Sequence, residues 1–174
     1  MNEQFPQRKS PRLQGYDYTQ SGAYFVTICT YQRVHTFGHI HDDTMVLSAC
    51  GKIACRELES MPDYWGDRVD IDLFVVMPNH IHVIVLLVGT RFSASGFVAD
   101  GQKAVPTLGH VIGAYKSGVT RMARKSGAIS KYDTLWQTRF HDHIIRNDRE
   151  LNDIRSYVVN NPAQWREDTF FTQR

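Results

Sequence analysis

Phe74-Val75-Val76-Met77-Pro78-Asn79-His80-Ile81-His82-Val83-Ile84-Val85-Leu86-Leu87 decides the fold of this 174-residue chain. Two apolar, β-branched runs flank a tight Met77-Pro78-Asn79 turn, which predicts an antiparallel hairpin: a strand over Val69–Met77 and another over His80–Val88. Side chains on a strand alternate between faces, so His80 and His82 project together, with Cα atoms roughly 6.5–7 Å apart. Ile81 and Val83 point the other way, into a core. An isolated His-x-His pair is usually just the polar face of a half-buried strand. Here the run from His82 to Leu87 carries no further polar residue, so polarity is concentrated at one end of the strand. Two imidazoles aimed at one spot from a rigid strand resemble two legs of a metal site.

Working outward, Gly22–Tyr31 is rich in aromatic and β-branched residues and predicts a strand. Residues 32–47 read as a loop with His35, His39 and His41 scattered in it, and a short strand at Met45–Leu47. Ser48 is an N-cap for a helix over Ala49–Ser60, which Pro62 stops, and Asp63–Asp67 is a turn. Gly89–Lys103 has loop composition. Pro106-Thr107 opens a helix reaching Lys125, ended by Gly127, with Leu108, Val111, Ile112, Tyr115, Val119 and Met122 near one face. Leu135–Arg146 reads as a connecting segment followed by a strand, on which His141 and His143 share a face as a second pair. Asn147-Asp148 caps a final helix over Arg149–Asn160, with Ile154, Tyr157 and Val158 as its apolar stripe. Pro162 ends it, and Trp165 packs back on the body.

Strand, helix, strand, strand, helix, strand and an extra helix is the order of a split-βαβ, ferredoxin-like α+β fold: an antiparallel sheet with helices on one face and an added C-terminal helix carrying Tyr157. The other sheet face is left free to bind a ligand. The expected organisation is a basic arm over residues 1–21 and a single catalytic-type domain over 22–174, without internal repeats.

Composition narrows the function classes. A net charge of +2 is not that of a protein binding nucleic acid by bulk charge alone. Positive residues are instead local: Arg8, Lys9 and Arg12 in the arm, and Lys116, Arg121, Arg124 and Lys125 in the second long helix. The arm reads equally as a solvated tail or as a phosphate-contacting one, whereas a basic helix flank of this kind is more often a plain solvated face than one that tracks a phosphate backbone. Cys29, Cys50 and Cys55 lack metal spacing and read as reduced thiols of a cytoplasmic protein. No apolar run reaches membrane-spanning length, and no signal-peptide pattern opens the chain.

Tyr157 and Asn161 lie four residues apart on the last helix and therefore share a side. If that side faces the free sheet face, the phenol and the amide oxygen meet His80 and His82. Two imidazoles and an amide oxygen suit Mg²⁺ or Mn²⁺, and the nitrogen donors lean the set toward Mn²⁺. Spacing alone also fits a core tyrosine and a C-terminal helix cap.

His80-Ile81-His82 after Val75–Asn79 resembles the HUH motif (U hydrophobic) of single-tyrosine transposases. Arg12–Tyr18 followed by Gly22–Thr30, then Leu135–Phe140, then Tyr157-Val158-Val159-Asn160-Asn161-Pro162, resemble the insertion-sequence-200-like, REP-associated branch of that family. The resemblance implies the same ferredoxin-like sheet. It makes His80 and His82 metal ligands, Tyr157 the nucleophile, and Asn161 the third ligand, standing where relatives often carry Gln. It implies cleavage and rejoining of single-stranded DNA beside an imperfect hairpin, through a 5′-phosphotyrosine and a free 3′-hydroxyl, with a divalent metal as cofactor and no nucleotide. The basic arm and the Lys116–Lys125 flank would contact phosphates, and Trp136 would stack on unpaired bases. His141 and His143 match no catalytic position and are assigned to structure. Relatives include dimers that share the tyrosine helix and forms that complete the site in one chain, so a homodimer stays open. Two other readings of the residues remain: a non-catalytic ferredoxin-like module binding single-stranded DNA or RNA on its sheet face, and a small metalloenzyme with a closed pocket around the histidines.

Overall fold

The structure, a computed structural model, describes residues 21–88 and 106–172. The basic arm with Arg8, Lys9 and Arg12, the Arg12–Tyr18 motif and the Gly89–Lys103 segment lie outside these residues. The elements are β1 (Gly22–Cys29), β2 (Gly38–His41), β3 (Thr44–Leu47), α1 (Ala49–Glu59), α2 (Met61–Trp65), β4 (Val69–Val76), β5 (His80–Leu87), α3 (Leu108–Lys125), β6 (His141–Ile145) and α4 (Asp148–Asn160). Among them, no helix is long and apolar enough to cross a membrane.

Four strands form one sheet in the order β4-β5-β1-β6, with every neighbouring pair antiparallel. With α1 linking β1 to β4 and α3 linking β5 to β6, this is the expected ferredoxin-like arrangement. Alternation then sorts the two faces. Tyr24, Val26 and Ile28 of β1, with Ile81, Val83 and Val85 of β5, are fully buried under α1 and α3. Each such side chain stabilises the fold by about 1.5–3 kcal/mol. The opposite face carries Phe25, Thr27, His80, His82 and Ile84, because Thr27 pairs with His82 and Phe25 with Ile84.

The helices start where the sequence says they should. The Ser48 hydroxyl accepts from the Gly51 N–H, Thr107 from His110, and the Asn147 side-chain oxygen from Glu150. Gly127, at φ +75°, follows the end of α3 in the left-handed region. Two details differ from the sequence reading. Residues 38–47 form a complete two-stranded hairpin, with Asp42 and Asp43 at positive φ making its turn. Pro62 does not lead into a simple turn: it occupies the first turn of α2, where a missing N–H costs nothing.

The larger difference is that the second sheet face is not free. α4 lies over it, and the segment Trp165–Thr172 runs back across the histidines. A bulge in β4 between Ile71 and Leu73 sets Asp72 against Arg155 of α4. The two form a bidentate pair, Arg155 Nε donating at 2.8 Å to Oδ2 and Nη2 donating to Oδ1. The pair pins α4, and with it Tyr157, to the edge of the sheet.

Candidate active site

His80 and His82 open β5, and both are sealed, at 0% and 1% exposure. Their Nε2 atoms face each other at 3.0 Å. The far ring nitrogens are held by oxygen: His80 Nδ1 lies 2.9 Å from Asn79 Oδ1, and His82 Nδ1 lies 2.9 Å from Thr27 Oγ1. The Asn79 amide nitrogen donates to the Phe170 carbonyl at 2.9 Å, so its oxygen is the atom facing His80. That oxygen can only accept, so His80 carries its proton on Nδ1 and turns an Nε2 lone pair inward. Holding the outer nitrogen of a ligating histidine by an oxygen is how metal sites orient their imidazoles.

Burial pushes His80 down to about 3, and the Arg33 charge adds to the shift. His82 is also lowered to about 3, by burial and then by His80, with Asp168 opposing. Both rings are therefore neutral at physiological pH, the state in which imidazole binds a metal.

Tyr157 comes from α4, where its neighbour Val158 is buried against the sheet and the phenol stands at the edge, 38% exposed. Its hydroxyl lies 3.2 Å from His82 Nε2 within the same chain. Phe25 stacks on His82 at 5.1 Å and meets the Tyr157 ring edge-on at 6.0 Å, fixing both. Burial raises the phenol pKa and the Asp168 charge raises it further, while the Asn161 amide opposes them. Without a cation the tyrosine is held as the neutral phenol.

Asn161 is 1% exposed. Its amide nitrogen donates to Asp168 Oδ2 at 2.9 Å, and its oxygen is buried with no hydrogen-bond partner among the described residues. An unmatched buried acceptor costs about 1–3 kcal/mol. Asp168 was invisible to sequence reading, because it sits in a stretch without periodicity seven residues beyond Asn161. Its side chain is 1% exposed, with Oδ2 3.7 Å from His80 Nε2. The ligand atoms of His80, His82 and Asp168 all lie within 4.8 Å of one another.

These residues fit a divalent ion. Two nitrogens bound at about 2.1 Å and a right angle sit about 3.0 Å apart. The inward lone pair of His80, the second imidazole nitrogen beside it, an orphaned amide oxygen and a carboxylate bring metal-competent donors together at one spot. Nitrogen with oxygen donors is the mixture that divalent transition ions accept.

The other sequence-derived candidates lie elsewhere. α3 packs on the opposite sheet face, which puts Arg121, Arg124 and Lys125 on the outer surface of the far layer. Lys116 is half-buried and spends its ammonium on the Gln137 and Arg139 carbonyls, at 2.7 and 3.3 Å. Trp136 is not presented for stacking. Its indole N–H donates to the Lys116 carbonyl and the Thr120 hydroxyl, and its ring packs on Phe37 and Tyr115. Both residues tie the β6 connection to α3. His143 bonds Glu150 at 2.7 Å near the start of α4. Of the loop histidines, His35 reaches Thr172 at 2.9 Å. A cleft of about 670 Å³ runs along the outer side of the C-terminal segment, lined by His39, Asp42, Gln164 and Phe171 among others, and the paired histidines do not line it.

No family model matches the chain. Its fold is shared with the solved structure of a REP-associated tyrosine transposase bound to a REP hairpin. That structure aligns with a TM-score of 0.52 at 16% identity, covering 83% of this chain and 68% of the other. An uncharacterized protein of Haemophilus influenzae is 34% identical over 173 residues, 94% of this chain and 93% of its own length. At that identity over nearly the whole of both chains, this protein belongs to the same family as the Haemophilus influenzae protein.

Proposed function

We propose that the protein is a metal-dependent DNA transposase of the single-tyrosine HUH type, cutting and rejoining single-stranded DNA beside hairpins. One observation carries the reading: the Tyr157 hydroxyl stands 3.2 Å from His82 Nε2, with the two Nε2 atoms 3.0 Å apart, all in one chain. A phenol able to act as a nucleophile and a pair of metal-competent nitrogens converge on one point. The shared fold with a hairpin-bound transposase supports the substrate class. The Haemophilus influenzae relative adds no activity of its own.

His80, His82 and Asn161 would hold the ion, Mn²⁺ or Mg²⁺. When bound, it supplies positive charge that polarises the scissile phosphate and lowers the pKa of the adjacent phenol. The chain's own residues do the rest. Asn79 and Thr27 lock the imidazoles, so the inward nitrogens need no reorganisation. Phe25 and the Asp72–Arg155 pair hold the phenol at the rim. Tyr157 Oη attacks phosphorus, the bond to the 3′-oxygen breaks, and a 5′-phosphotyrosine forms as the 3′-oxygen leaves as a hydroxyl. The new ester keeps the phosphodiester energy, so a second strand's 3′-hydroxyl can reverse the step and rejoin without a nucleotide cofactor.

A labelled hairpin oligonucleotide with a single-stranded flank, incubated with the protein and Mn²⁺, should yield a covalent adduct stable to denaturing electrophoresis. Tyr157→Phe should abolish it. Equal metal-free binding by both proteins, with no adduct, would favour the non-catalytic binding module.

A further inference from the structure

We propose that Asp168 is a ligand of the ion held by His80 and His82, so that the C-terminal segment Trp165–Thr172 closes over the site as part of metal binding. The inference rests on the metal reading above and extends it to a residue outside the tyrosine helix.

The argument is one of acceptors converging on one spot, of which only the Asn161 oxygen lacks a partner among the described residues. His80 donates its proton outward to Asn79, so its Nε2 is an acceptor. Asp168 Oδ2 is an acceptor too, and it lies 3.7 Å away, too far for a shared proton. The carboxylate is nearly inaccessible to solvent. It is aimed by its neighbours: Oδ1 accepts from the Phe170 N–H at 2.6 Å and Oδ2 from the Asn161 amide at 2.9 Å. A charge in so dry a place is costly unless it is paired or bound to a metal. A divalent ion between Nε2 and Oδ2 would match both, together with the orphaned Asn161 oxygen.

The segment carrying Asp168 is latched from several sides. Asn79, the residue that orients His80, also donates to the Phe170 carbonyl and to the Thr172 hydroxyl at 3.2 Å. Arg33 donates to the Thr169 carbonyl at 3.1 Å and lies over the Phe170 ring at 5.0 Å. His35 bonds Thr172. Phe170 itself caps His80, with ring centres 4.8 Å apart. The closed segment thus contributes an anionic ligand while covering the histidines from one side. The exposed edge of Tyr157 remains as the way in for a phosphate. Ligand and cover are one piece of chain, so binding the ion and closing the segment are coupled equilibria.

Calorimetric titration with Mn²⁺ alone tests this on the full chain and on its Asp168→Asn and His80→Ala variants. Hydrogen exchange over residues 165–172 is followed in parallel, with and without Mn²⁺. The expected result is that Asp168→Asn weakens Mn²⁺ binding at least about tenfold, and that Mn²⁺ slows exchange in the segment of the wild-type chain. The exchange measurement on wild type needs no variant, so it stands even if a substitution impairs folding. Wild-type affinity in Asp168→Asn with no metal-dependent protection of the segment overturns the inference while leaving a histidine metal site intact. No Mn²⁺ binding by the wild-type chain overturns both that site and this extension of it.

Discussion

The two faces of one sheet are built from alternate residues of the same strands, yet they are held by different physics. On the α1 and α3 side, Val26, Ile28, Ile81 and Val83 are hydrocarbon against hydrocarbon, without exposure. On the α4 side, Thr27, His80 and His82 are as deeply buried but bonded through oxygen and nitrogen. Apolar burial is non-directional and tolerates small shifts, so the first face supplies stability. Hydrogen bonds fix angles, so the second spends its burial on holding lone pairs in place. The chemistry is therefore one residue away from the core at every point along β5.

Adjacent substitutions on β5 separate the two roles most sharply. Ile81→Ala should cost about 2–5 kcal/mol by leaving a cavity, read as a fall in the urea midpoint, with Mn²⁺ affinity unchanged in the protein that stays folded. A cost near zero would mean the core face is looser than its burial implies.

Acid should tell the faces apart next. With folded values of about 3 against 6.5 unfolded, both imidazoles stay neutral in the fold while the unfolded chain takes up protons. Their contribution is intact above pH 6.5 and lost as pH falls below it, each ring costing up to about 1.4 kcal/mol per pH unit. The urea midpoint of the metal-free protein should drop between pH 7 and pH 5, and drop less in His80→Asn. Equal slopes for the two proteins would contradict the buried neutral pair.

Thr27→Val keeps the volume of the side chain and removes only the oxygen facing His82. Mn²⁺ affinity should fall about 10–100-fold, alongside a stability loss of about 1–3 kcal/mol for the buried His82 nitrogen left without a partner; a loss of stability with unchanged Mn²⁺ affinity would make Thr27 a packing residue. Asp72→Asn should have the smallest effect, slowing adduct formation several-fold by loosening α4 without altering metal affinity. Unchanged kinetics would remove the β4 bulge from the account of how Tyr157 is held.

Much of this was legible in the chain. The element order was, because alternation in β5 and helical spacing in α3 and α4 are local signals. So was the pairing of His80 with His82, which strand geometry alone dictates, and the shared side of Tyr157 and Asn161. Whether α4 turned that side toward the imidazoles was not, because it depends on where β4 bulges and what Arg155 finds there. Lys116 read as part of a basic helix flank and Trp136 as an aromatic able to stack on bases; each is instead engaged by a partner about twenty residues away in the chain. Asp168 had no local signal at all.

By itself, then, the sequence determined the secondary elements, the split-βαβ order, and which side chains each element could present on a common face. Those properties follow from steric and hydrophobic periodicities a few residues long. Only the tertiary structure decided that the second face is roofed, that the phenol and imidazoles meet within one chain, and that a carboxylate returns from the C-terminal segment to join them. Each of these is a contact between residues far apart in the chain, set by how the layers pack, and no short-range pattern encodes it.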